Sequence, residues 1–208
     1  MRLLRHLSVS TTVTLSLFAR GCLGQYPDMI VGSYTDEETG INFDTWTAPP
    51  AENGDGGVTF GIVLPENATT NDTGEYIGYL VLTSFRWATD YFMPDPYSGD
   101  GSPTITYIRS SVNESRYELV YRCQNCFSWD DAQGENGGSS NSSEGEIMLG
   151  YAQAADGPTN PARPSEITLQ YHTLGYAQWV VPVGNVTRGD YETWSELARE
   201  AAPGECEV

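Results

Sequence analysis

The stretch Val58-Thr-Phe-Gly-Ile-Val-Leu64 is rich in branched and aromatic residues and follows Gly54-Asp55-Gly56-Gly57. A short apolar run behind such a turn signal predicts a buried strand rather than a helix. Runs of the same kind extend outward from it: Tyr76 to Leu82, Thr104 to Ile108, Tyr117 to Tyr121, Ile147 to Ala152, Ile167 to Tyr171 and Tyr176 to Val183. Asn71-Asp72-Thr73-Gly74 and Pro94 to Gly101 supply turn chemistry between them. Short strands at this spacing predict an all-β sandwich. The one helical pattern is Asp190 to Ala201, where Asp190 is placed to cap and Trp194, Leu197 and Ala198 share a face. Gly134 to Gly145 and the proline-rich Asp156 to Pro164 read as loops interrupting a single domain.

The chain has 208 residues and a formal net charge of −18. All 10 of its Lys and Arg residues are arginines, against 28 acids. That balance excludes nucleic acid as a partner, since a phosphate-binding surface needs clustered cations. It equally excludes a polybasic membrane-surface role. With 39% hydrophobic and 12% aromatic residues, the chain can still support a core.

Residues 1–24 have a basic start, a short apolar centre from Leu7 to Ala19 and small residues before Gln25, the pattern of a secretory signal. The centre is too short to span a bilayer, and no later run is apolar enough, so the mature chain is expected to be released outside the cell. Beyond residue 24 the chain keeps seven arginines and 28 acids, a formal charge of 7 − 28 = −21, and one histidine, His172. The sequons at Asn67, Asn71, Asn113, Asn141 and Asn185 favour an extracellular glycoprotein. Pro203 to Val208 belongs to an acidic tail running from residue 202.

Chemistry-bearing residues are few. His172 reads either as a hydrogen-bonded surface residue or as a metal or haem ligand. As the single histidine past residue 24, it excludes any site needing two from this chain. Cys123-Gln-Asn-Cys126 is open to three readings: half a zinc site, a redox pair or a local disulfide. Cys206 is then an odd cysteine. The many acids permit a glycosidase pair, but nothing singles out two of them.

Three segments in order carry a resemblance: Arg86-Trp-Ala-Thr-Asp-Tyr91, Tyr121-Arg-Cys-Gln-Asn-Cys126 with Trp129, and Gln170-Tyr-His172-Thr. Gln25-Tyr-Pro-Asp, Thr39-Gly-Ile-Asn-Phe43 and Glu75-Tyr-Ile-Gly78 fit the same pattern. From residue 25 to 201 the chain resembles the haem-binding cytochrome domain of fungal cellobiose dehydrogenases and its stand-alone relatives. The resemblance implies an immunoglobulin-like β-sandwich (DOMON-like cytochrome fold), here incomplete, with a short C-terminal helix. It implies haem b with axial methionine and histidine, the histidine matching His172 as the ligand to the haem iron. It also implies Tyr91 beside a haem propionate and a Cys123–Cys126 disulfide. Such a domain takes single electrons from a flavin dehydrogenase and passes them to copper-dependent lytic polysaccharide monooxygenases. It is an electron carrier rather than an enzyme by itself.

The family's axial methionine has no counterpart. Roughly thirty family residues are missing between about Val81 and Thr83, a length of two or three strands. A flawed gene translation, a real variant that no longer binds haem normally, and a substitute ligand at Met93 all remain open. Met29 and Met148 read as strand-packing residues. No Gly-x-Gly-x-x-Gly segment is present, so a flavin would have to be carried by a partner. The rival function is a haem-free extracellular β-sandwich that binds carbohydrate or protein through exposed aromatic residues.

Overall fold

In a computed structural model, the run at Val58 becomes a central strand buried on both faces. The structure describes residues 29–50, 52, 56–70, 74–80, 103–112, 117–129, 138–157, 159, 168, 170–198 and 200–201. Its strands are β1 (Ile30–Thr35), β2 (Asn42–Ala48), β3 (Val58–Pro65), β4 (Glu75–Leu80), β5 (Thr104–Val112), β6 (Tyr117–Gln124), β7 (Ser128–Trp129), β8 (Gly138–Ser139), β9 (Glu146–Gln153) and β10 (Gly175–Pro182), followed by β11 (Thr187–Arg188) and β12 (Glu200–Ala201). Two short helices, α1 (Val183–Val186) and α2 (Tyr191–Ser195), and 3-10 turns at Glu66–Thr69 and Ser142–Glu144 complete the elements.

The large sheet runs in the order β1-β2-β3-β4-β6-β5-β12, with β11 added in parallel to β3. β9 and β10 form a separate antiparallel pair, in register from Gly175 opposite Gln153 to Pro182 opposite Glu146. Alternation along β3 explains its unbroken apolar sequence. Phe60, Ile62 and Leu64 point to one side, into a core shared with Trp46, Ile147, Val181, Val183 and Val186. Val63 points to the other, into a core with Ile41, Phe43, Ile77, Val120 and Tyr191. The first core lies between the large sheet and the β9–β10 pair, and α2 brings Tyr191 to the second. A strand buried on both faces cannot alternate apolar with polar residues. The all-β sandwich is thus the observed architecture.

Several local expectations change. β1 and β2 were not anticipated, because Gly32, Ser33, Asp44 and the threonines dilute their apolar content. They form because Asp36 organises the turn between them. Its carboxylate accepts from the Thr39 backbone N–H at 3.0 Å and the Thr39 hydroxyl at 2.8 Å. That turn sets Thr35 opposite Asn42 and Ile30 opposite Thr47. The strand expected over Ile167 to Tyr171 does not form among the described residues. A single bridge joins Thr159 to Thr168, and the chain then turns sharply at His172. β10 stops at Pro182, and Val183 opens α1, since proline supplies no N–H to continue a ladder.

The helix expected over Asp190 to Ala201 shrinks to α2. Asp190 makes no side-chain capping bond, and Leu197 is exposed. Glu200 and Ala201 pair instead with Tyr107 and Thr106 of β5. Trp194 does pack on the second core. Part of the loop expected over Gly134 to Gly145 is ordered, as β8 pairs with β7. Met29 packs against the first core as expected, but Met148 does not pack: it is 63% exposed on the outer face of β9. Its position alternates with the buried Ile147, so the pleat turns it to solvent.

Candidate functional site

His172 follows the second loop and precedes β10. The Thr173 N–H donates to the Tyr171 carbonyl at 2.8 Å, closing a γ-turn around His172. The imidazole stacks on the Tyr171 ring, centroids 4.4 Å apart, and meets the Tyr176 ring edge-on at 5.0 Å. Both tyrosines are exposed, Tyr171 by 76% and Tyr176 by 52%, while His172 is half-buried between them. Tyr176 stands on the outer face of β10 with Val180, and Met148 stands on the same face of β9 opposite Val180. An imidazole thus borders an outward surface where Tyr176, Val180 and Met148 stand together with the polar Gln178 and Glu146.

The Cys123–Cys126 disulfide is formed, with Cα atoms 5.9 Å apart, inside the usual range. It closes the end of β6, where Asn125 takes a left-handed backbone (φ 59°) and the Cys126 N–H donates to the Gly74 carbonyl at 2.9 Å. Of the three readings open for this pair, the local disulfide is the one realised. No group of three or more potential metal ligands occurs among the described residues.

The sequence profile of the cytochrome domain of cellobiose dehydrogenase matches residues 34–83 and 80–193 of this chain. The chain belongs to this family. The two matched stretches meet at residues 80–83, where the sequence reading places the missing segment. Among solved structures, the cytochrome domain of Myriococcum thermophilum cellobiose dehydrogenase is 33% identical, with a TM-score of 0.73 over 82% of this chain and 97% of that one. The cytochrome b domain of pyranose dehydrogenase from Coprinopsis cinerea is 25% identical, with a TM-score of 0.58 over 81% of this chain and 96% of that one. A curated relative, the pyrroloquinoline quinone-dependent pyranose dehydrogenase of Coprinopsis cinerea, is 34% identical over 122 residues, 58% of this chain. This cytochrome domain spans 15% of that relative's length.

The expected site residues fall in different places. Tyr91, Met93 and the junction at residues 81–83 lie outside the described residues, as do Asn71, Asn113 and Cys206. Asn67 and Asn185 are exposed, on the 3-10 turn after β3 and on α1. Asn141 is half-buried and donates its amide to Glu144 at 3.2 Å. No described helix is long and apolar enough to cross a membrane.

Tyr171 and Tyr176 were not singled out from the sequence. The signal was present in the Tyr-His-Thr-Leu-Gly-Tyr spacing, which puts one aromatic residue on each side of the turn. The residues fit one side of a porphyrin: an imidazole donor beside a wall of Tyr176, Val180 and Met148 that also carries Gln178. A second axial donor is not supplied by the described methionines. Met29 packs on the first core, and Met148 lies four strand residues, about 13 Å, from the residue opposite Tyr176.

Proposed function

We propose that this cytochrome domain is a secreted single-electron carrier for which His172 is an axial ligand to the iron of haem b. The observation that carries the reading is the γ-turn at His172, which holds the imidazole at the margin of the outward face of Tyr176, Val180 and Met148. Haem b, when bound, supplies a one-electron iron couple. The chain's own part is to present the His172 lone pair, cover one porphyrin face with apolar groups, and limit water access. Tyr91 is assigned to a propionate. A flavin dehydrogenase is the donor class and a copper-dependent polysaccharide monooxygenase the acceptor class. Residues 1–24 are a signal peptide, and Asn67 and Asn185 are the exposed glycosylation acceptors among the described residues.

The residues missing near position 81 remove the family's axial methionine and leave His172 as the ligand this chain retains. The test is an absorption spectrum of the chain after haem addition, oxidised and reduced. A bound-haem Soret band whose oxidised and reduced positions depend on His172, and change in His172→Ala, supports the assignment. A folded chain that takes up no haem, or a His172→Ala variant with the original spectrum, refutes it. The exposure of Tyr171 and Tyr176 favours one second reading, a haem-free face that stacks on sugar rings. Binding of cello-oligosaccharide to the haem-free chain, lost in Tyr171→Ala, would select that reading.

A further inference from the structure

We propose that Gln153 is the positioning residue for His172, a side-chain clamp that fixes the histidine turn to the large sheet. The proposal rests on the ligand role just given to His172, and its geometry is independent of haem. Gln153 ends β9. Its side-chain carbonyl accepts from the Gly57 N–H at 3.0 Å, and its amide donates to the Gly57 carbonyl at 3.3 Å. This pair of bonds spans 96 residues and joins the turn before β3 to the end of the small sheet. The same residue holds the histidine segment through its backbone: the Leu174 N–H donates to the Gln153 carbonyl at 3.0 Å. One step further, the Ala155 N–H donates to the Thr173 hydroxyl at 3.2 Å. Residues 173 and 174, immediately after the ligand, are therefore tied to residues 153 and 155.

The receiving turn is shaped for this contact. Gly56 and Gly57 have φ of +77° and +92°, where side chains are strained. A Cβ on Gly56 would stand 2.9 Å from the Gln153 side-chain oxygen and 3.2 Å from the Leu174 side chain. Both the clamp and the residue two beyond His172 thus seat against one glycine. An amide is suited to this place because it offers one donor and one acceptor side by side, matching the N–H and C=O of a single residue. Glutamate keeps the acceptor but sets a second oxygen against the Gly57 carbonyl.

The test uses the full chain, with and without added haem, as wild type, Gln153→Ala, Gln153→Glu and His172→Ala. In the haem-free chain, Gln153→Ala should speed amide exchange at Leu174 about tenfold, the loss of one to two hydrogen bonds, and shift the His172 ring resonances. Exchange in β5 and β6 should not change. With haem, affinity should fall on the order of tenfold, and the part of the haem spectrum that depends on His172 should weaken with it. Gln153→Glu should fall with Gln153→Ala rather than with wild type. Unchanged Leu174 exchange and His172 resonances in Gln153→Ala overturn the proposal, as does a uniform rise in exchange across both sheets. If wild type takes up no haem, or His172→Ala takes it up equally well, the ligand reading fails, and exchange with ring resonances still decides the clamp.

Discussion

At residue scale, the most exacting position is Gly78 in β4. A Cβ there would come within 2.6 Å of the Tyr121 ring. Tyr121 is fully buried, and its hydroxyl shares a 3.3 Å hydrogen bond with Tyr76. Burial, then the neighbouring Tyr76, pushes the Tyr121 phenol well above the usual tyrosine range, so the pair stays neutral. Gly78→Ala should therefore cost about 1–3 kcal/mol in urea unfolding through overpacking. A variant as stable as wild type would show that the ring can move aside. Asp36 is the second such residue, buried and paired with Arg109. Burial alone raises its carboxyl, but hydrogen bonds from Thr39 and then Arg109 outweigh that and leave the group below its ordinary value. Its contribution is thus complete above the unfolded value of about 3.9 and is lost as pH falls through the lower folded value. The stability gap between wild type and Asp36→Asn should be constant above about pH 4 and shrink below it. A gap unchanged down to about pH 2 would contradict this sign.

At the scale of elements, the β9–β10 pair makes a sharper test than the large sheet, because one of its faces is core and the other carries exposed residues. Val181 is fully buried in the first core, whereas its neighbour Val180 is 44% exposed beside Met148. Val181→Ala should lower the stability of the haem-free chain by about 1–3 kcal/mol. Val180→Thr should change it by less than about 0.5 kcal/mol. With haem, the order reverses in kind: Val180→Thr and Met148→Ser should weaken uptake severalfold, an effect absent if haem lies elsewhere. The same contrast shows what a linear sequence can carry. β3 through β6, β9 and β10 were legible because their side chains are apolar in their own right. β1 and β2 were not, because their order comes from pairing with β3 and from the Asp36 turn. The C-terminal helix was over-read because its apolar spacing ignores the competing pairing of Glu200 and Ala201 with β5. In the candidate site, His172 and the cysteine pair were legible through rarity and local spacing. Gln153 was not, since only folding brings it from 96 residues away to Gly57.

At the scale of the whole molecule, charge is the dominant feature, with 28 acids against 10 arginines in the sequence. The three arginines among the described residues are all paired: Arg109 with Asp36 and Glu118, Arg122 with Glu75 at 2.7 Å, and Arg188 with Asp44 at 2.5 Å. These pairs bind strands to one another, since Asp44 is in β2, Glu75 in β4 and Arg122 in β6. The described cations are thus used between strands, and the excess of acids, a formal charge of 7 − 28 = −21 beyond residue 24, makes the protein's field anionic. Encounter with a redox partner must then depend on the partner's sign. In the haem-loaded, reduced protein, oxidation by hexaammineruthenium(III), a cation, should slow as salt rises from about 10 to 150 mM, over which the screening length falls from about 30 to 8 Å. Oxidation by ferricyanide, an anion, should accelerate over the same range, because screening removes repulsion instead of attraction. Opposite slopes locate the electron exit within the anionic surface. Equal slopes for both oxidants would place it where the net field is close to zero, and a physiological acceptor would then be selected by shape rather than charge.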